Sequence, residues 1–286
     1  MNRNYLKPAE ISRVAIETGV SKVKTKRINQ FILAILAGVF IAFAAGGSNM
    51  AAFNLLARPE TFGLGRTLAG TIFGTGLMLV VVAGGELFTG NSLIMAGVLE
   101  KQIKVRELLN NWLFVFLGNF VGSLFIAYMM VHSGLFNSGD YGLGATTIII
   151  AVNKVSLDFI PAFYLGIMCN WLVCLAIWMS YASIDLTGKI FAIFFPIWLF
   201  ITSGFEHSVA NMYYIPAGIM AKSNSNWAIA SNLTTQQLDN LNWSTFITNN
   251  MIPVTLGNIV GGAIFAAAGY WFVYVRNNPD RIKSEK

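Results

Sequence analysis

The chain has 286 residues, of which 55% are hydrophobic and 11% charged, with 19 basic against 13 acidic side chains. A soluble domain carries about 25% charged residues, so an ordinary soluble enzyme is excluded. A nucleic-acid-binding face is excluded too, because the basic residues are dispersed between apolar runs and form no cluster on one water-soluble surface.

The chain opens on a polar segment, 1–29, in which Ile11, Val14, Ala15 and Val20 alternate with Glu10, Arg13 and Glu17 at helical spacing. This predicts a short amphipathic helix at a membrane surface. The segment lacks the apolar stretch of a secretory signal peptide, and none is expected. A membrane domain is expected over 30–276, followed by a short polar tail, 277–286. Within that domain the apolar runs 30–56, 67–99, 108–131, 160–181, 190–220 and 251–275 predict six spans, each long enough to cross a hydrocarbon core.

Basic residues are concentrated before span one, between spans two and three, between four and five, and after span six. The opposite side holds only Arg58, Arg66, Lys154 and Lys222. The positive-inside rule therefore places both termini in the cytoplasm, and the surplus of positive charge reports topology.

Spans two and five are too long and too polar in the middle to be plain helices. Span two contains GGELFTGN at 84–91 and span five contains GFEHSVAN at 204–211, which share Gly, Glu and Asn in register. A second match, LGNFVG at 117–122 in span three and LGNIVG at 256–261 in span six, follows in the same order. Each half thus holds three spans with a broken middle one, and an odd number of spans forces the second half to insert inverted. Paired interrupted helices in inverted repeats point to a transport site near the bilayer midplane. Unwound backbone at that depth is tolerated only where it is buried in protein or lines a polar path, and facing half-helix N-termini favour an anion.

Glu86 and Glu206 are the acids that fall inside spans. They are either proton relays or acceptors that tie down the N–H groups of their own loops. His207 can offer a proton or hydrogen bond to a passing anion, since histidine titrates near neutral pH, or it can be a buried side chain bonded to backbone. Thr89, Asn91 and Asn211 are substrate contacts or caps of the following half-helices. Asn170, Asn119 and Asn258 should face the bundle, as substrate contacts or as interhelical bonds. Lys154 is the basic residue in the loop between spans three and four, and the apolar run 146–152 before it should pack that loop onto the domain. There the ammonium is either solvated or set to draw anions to an external mouth. Cys169 and Cys174 carry neither a disulfide framework nor a metal-ligand spacing, and no metal or cofactor is expected. A membrane-embedded enzyme would need a nucleophile with its base or clustered ligands, and no third group accompanies Glu206 and His207 in their span.

The motifs GGELFTGN, NWLVCLAIW (170–178), SGFEHSVANM (203–212) and IPVTLGNIVGG (252–262) resemble the formate/nitrite transporter family over nearly the whole chain. The resemblance implies an all-α membrane protein, a homopentamer of aquaporin-like protomers, each with its own pore, in the cell's inner (plasma) membrane. It implies passage of a small monovalent anion, formate foremost with nitrite and hydrosulfide as alternatives, often coupled to protons. It makes His207 the central pore histidine, Thr89 its partner, Lys154 the vestibule lysine, and Asn170 and Asn258 the neighbouring asparagines; Glu206 is placed beside the pathway by its position in the break before His207. Phe73, Leu77, Leu87, Val173 and Phe200 match positions of the apolar constrictions.

Overall fold

The computed structural model describes residues 5–277, so part of the N-terminal segment and most of the tail 277–286 lie outside the described residues. Within that range the chain is all-helical apart from one isolated bridge between Tyr5 and Ser183. The amphipathic helix α1 (Pro8–Lys24) comes first, with Pro8 in its first turn and Lys22 and Lys24 in its last, both favourable placements. Then come α2 (Arg27–Leu56), α3 (Pro59–Gly84), α4 (Gly90–Leu99), α5 (Val105–His132), α6 (Gly142–Val155) and α7 (Phe159–Ala182). After these follow α8 (Leu186–Ser203), α9 (Ser208–Ala221), the short α10 (Ser225–Ala230) and α11 (Thr235–Asn240), and α12 (Trp243–Arg276). Six of these, α2, α3, α5, α7, α8 and α12, are long and apolar enough to span a membrane. A helix is the form these runs must take, because lipid offers no partner for an open backbone.

The expected spans 67–99 and 190–220 each resolve into a long helix, an unwound loop and a half-helix: α3 with α4, and α8 with α9. Each long helix ends at a glycine in the left-handed region, Gly84 as the last residue of α3 at φ 97° and Gly204 just after α8 at φ 83°. At such a position a side chain would be strained and glycine is not. Two stretches expected as loops are partly helical: the one before span four holds α6, and 221–250 holds α10 and α11. The apolar face of α6 makes it a core element, with Leu143, Ile148, Ala151 and Val155 wholly shielded.

The halves are inverted. The end of α2 reaches a cavity beside α6, whose lining includes Leu56, Ala57 and Lys154. Its counterpart α7 starts there, with Leu165 in the cavity lining just after Leu157 of the preceding turn, and ends on the opposite side, where Leu6 N–H donates to Ala182 O at 2.8 Å. In each half the last span crosses the first at glycine. A Cβ on Gly122 of α5 would strike the carbonyl oxygen of Ile35 in α2, and one on Gly261 of α12 would strike that of Ile167 in α7. These close approaches are the small-residue contacts by which membrane helices pack when no hydrophobic effect separates helix from lipid.

Candidate functional site

Each unwound loop is held by one asparagine from the last span of its half. Asn119 on α5 accepts from Phe88 N–H at 2.9 Å and donates to Glu86 O and Ala34 O at 2.8 and 2.7 Å. Asn258 on α12 accepts from Ser208 N–H at 2.9 Å and donates to Glu206 O and Gly166 O at 3.0 and 2.8 Å. One side chain thereby satisfies a donor and two acceptors that have no water to bond. The asparagines in the LGN motifs are thus crosslinks of loop and helix.

The two glutamates do not tie down the N–H groups of their own loops. Glu86 accepts from Lys22 Nζ of α1 at 3.0 Å and from Asn91 Nδ2 at 2.6 Å, and Asn91 Nδ2 also donates to Asn111 Oδ1 at 2.8 Å. Glu206 accepts from Lys154 Nζ of α6 at 2.7 Å, from Asn211 Nδ2 at 2.6 Å and from Asn250 Nδ2 at 3.1 Å. A carboxylate buried at this depth demands a cation and donors, and amphipathic α1 and apolar α6 each deliver one lysine. Asn91 and Asn211 accordingly do not cap their half-helices, which corrects that expectation. The cap of α9 is His207, whose Nδ1 accepts from Ala210 N–H at 3.0 Å, whereas the helix of Gly90 has no side-chain cap from Thr89.

That cap fixes the histidine's chemistry. With Nδ1 occupied as an acceptor, the proton of the neutral imidazole resides on Nε2, as inferred from its hydrogen bonds. Nε2 lies 2.9 Å from Thr89 Oγ1 on the loop of the other half. Asn170 on α7 holds Thr89 from behind, donating to Thr89 O at 3.1 Å, to Ser92 Oγ at 3.1 Å and to Asn258 O at 2.7 Å. The ring of Phe200 stacks on His207 with centroids 5.9 Å apart, and Phe73 meets Phe200 edge-on at 5.7 Å.

A cavity of ≈ 290 Å³ opens beside α6 and is lined by Lys154, Glu206, His207 and Phe200 among others. Thr89, Asn170 and Asn258 lie outside it, fully buried, and meet the lining set through the His207–Thr89 contact. Phe73, Leu77, Leu87 and Val173 are likewise buried and do not line this cavity. Lys22, Asn111 and Asn250 were not singled out from the sequence. The spacing that separates Asn111 from Asn119 equals that from Asn250 to Asn258, so the repeat could have been extended to reveal them.

The profile of the family described as "Formate/nitrite transporter" matches residues 9–272. The chain is 39% identical to a "Probable formate transporter" of Methanothermobacter thermautotrophicus, over 96% of this chain and 100% of that one. It is 39% identical to the "Formate channel FocA" of Escherichia coli (strain K12), over 96% of each chain. A solved "Pentameric formate channel with formate bound" superposes with a TM-score of 0.77 at 37% identity, covering 87% of this chain and 97% of that one.

Proposed function

The chain belongs to the formate/nitrite transporter family, and within it we propose the following function: a multi-pass channel of the inner membrane that passes formate through a pore in each protomer of a homopentamer. Like its relatives it is a transport protein and not an enzyme. The formate channels among its relatives support formate over nitrite and hydrosulfide. The α1 side faces the cytoplasm, where the basic residues gather, and the α6 side faces outward. Residues 30–276 form the pore domain, and 1–29 form a cytoplasmic segment whose α1 closes over the inner mouth.

The observation that carries the mechanism is the 2.9 Å contact of His207 Nε2 with Thr89 Oγ1 beside the Phe73–Phe200 pair. Phe73, Leu77, Leu87, Val173 and Phe200 form apolar walls, and a bare anion between them would lose its hydration uncompensated. Lys154 and Glu206 set the field and shape of the outer mouth, and Asn170 and Asn258 hold the two loops at the centre. The arriving anion accepts the Nε2–H of His207 in place of Thr89. The threonine hydroxyl, released, rotates and donates to the anion's other side. Protons that accompany the anion come from water, since the Nδ1 of His207 is taken up by Ala210 N–H.

Isotope-labelled formate uptake into proteoliposomes, with nitrite and hydrosulfide as competitors, tests this function. Saturable formate flux, competed more strongly by unlabelled formate than by the other two, is expected. Flux equal to that of protein-free liposomes would overturn it. His207→Gln, which keeps an N–H donor, should retain pH-dependent flux within about tenfold of wild type; a flux that no longer responds to pH would assign the proton to His207.

A further inference from the structure

Lys154 is the obvious cation of the α6-side cavity, yet its charge is already matched. Its ammonium sits 2.7 Å from the Glu206 carboxylate, so the two together present a dipole to the cavity and little net charge.

Arg66 on α3 lines the same cavity, half-buried. Its Nη2 donates to Ile201 O and its Nε lies 3.5 Å from Thr202 O, both at the C-terminal end of α8. Those partners are neutral carbonyls, and among the described residues no carboxylate is within ion-pair distance of the guanidinium. Its Nη1 has no hydrogen-bond partner among the described residues. The cavity lining thus holds two cations, Lys154 and Arg66, against one carboxylate, Glu206, which leaves a net positive charge and a guanidinium with no direct carboxylate contact.

A second lining residue points the same way. Asn49 on α2 is 4% exposed, and its Nδ2 has no hydrogen-bond partner. A buried N–H group left unbonded is costly; this one is shielded from the cavity as the side chain stands, and a turn of the Asn49 amide would bring it to the wall as a donor.

We propose that Arg66 and Asn49 form an anion subsite in the wall of the α6-side cavity, one step before His207, selective for planar anions with two oxygens. The proposal rests on the channel function above and names the residues that load it. A guanidinium offers parallel N–H donors to two oxygens of one anion, whereas an ammonium acts as a point charge. Formate and nitrite carry two such oxygens, and hydrosulfide or a halide offers a single atom. The subsite thus sorts anions by shape before the central histidine handles them. Arg66 also joins α3 to the end of α8, so the test must separate binding from bracing.

The test measures the concentration dependence of formate uptake in proteoliposomes and, in detergent, the thermal stabilisation by formate, for wild type, Arg66→Gln, Arg66→Lys and Asn49→Ala. Arg66→Gln keeps a donor for the α8 carbonyls and removes the charge. It should raise half-saturating formate about tenfold with maximal flux within about twofold of wild type. Asn49→Ala should raise half-saturation about threefold. Arg66→Lys should restore much of the affinity while reducing the preference for formate over hydrosulfide. Unchanged half-saturation in Arg66→Gln, or loss of maximal flux and melting temperature with half-saturation intact, would overturn the subsite and leave a brace. Should wild type pass no formate, the channel function fails. The subsite is then still read by formate raising the melting temperature of wild type and not of Arg66→Gln; no such rise in wild type would overturn it as well.

Discussion

Around the first unwound loop Lys22, Glu86, Asn91 and Asn111 are linked by hydrogen bonds, and around the second Lys154, Glu206, Asn211 and Asn250 are linked in the same order. Asn119 and Asn258 pin both loops through the same kinds of atom. The residue after the glutamate differs: Leu87 in the first loop and His207 in the second. Unwound backbone inside a membrane must be satisfied wherever it occurs, so the supporting network is needed twice. The imidazole donor at the centre of the pathway, which Thr89 of the first loop complements, is needed once. The duplicated network is thus scaffold, and His207, which has no counterpart in the first loop, is chemistry.

The largest effect should come from erasing that difference. His207→Leu makes the second loop resemble the first at this position, and formate flux in proteoliposomes should fall about 100-fold, equivalent to about 2–3 kcal/mol for a lost charge-assisted hydrogen bond. Flux near wild type would mean that the two loops differ in sequence without differing in role.

Much of this comparison was legible in the sequence. The breaks, the inverted halves and the set of polar groups at depth followed from GGELFTGN, GFEHSVAN and the two LGN motifs, because apolar runs make polar interruptions conspicuous. The partners of the glutamates were not legible. Lys22 read as one of many cytoplasmic charges, since sequence spacing does not say that α1 folds its last turn back over the first loop. α6 was hidden for the opposite reason: it is shorter than a span, and helix and packed loop are alike in a short apolar run. Arg66 and Asn49 become noticeable only once a cavity brings α2 and α3 beside α8.

Next in size are the paired charge removals. Glu206→Gln and Glu86→Gln each leave a lysine without its carboxylate, and breaking a buried pair is strongly destabilising. The Lys154–Glu206 side chains are 15% and 6% exposed, against 23% and 9% for Lys22–Glu86. Glu206→Gln should therefore cost more, about 3 kcal/mol against about 2 kcal/mol, read as the drop in detergent unfolding midpoint. The reverse order would mean that burial does not rank the two networks.

Smaller still, and alike in both halves, should be the cost of filling the helix crossings. Gly122→Ala and Gly261→Ala each push a methyl into a carbonyl oxygen of the facing helix, an overpacking worth about 1–3 kcal/mol. Unequal costs would show one crossing to be looser than the other.

The smallest effect lies outside the membrane. Asp185 caps α8, accepting from Gly188 N–H at 2.7 Å, while the start of α3 has no side-chain cap. That backbone hydrogen bond, with help from Ser183, holds the Asp185 carboxyl below its usual range. A depressed folded-state pKa stabilises the fold above the ordinary carboxylate range, and the stabilisation is lost as pH falls through the folded value. Asp185→Ala should lower the melting temperature slightly at neutral pH, with the gap from wild type closing in acid. A gap that persists in acid would rule out the carboxylate as its source.

At the centre of the pathway stands a neutral imidazole whose Nε2–H faces Thr89 while Nδ1 accepts from Ala210 N–H. Nitrogen-15 NMR of histidine-labelled protein reads this directly, because the chain has 2 histidines and a His132→Gln variant leaves the His207 signals alone. At neutral pH a bare, pyridine-type Nδ1 and a protonated Nε2 are expected. A protonated Nδ1, whether in the other tautomer or in an imidazolium, would contradict this assignment.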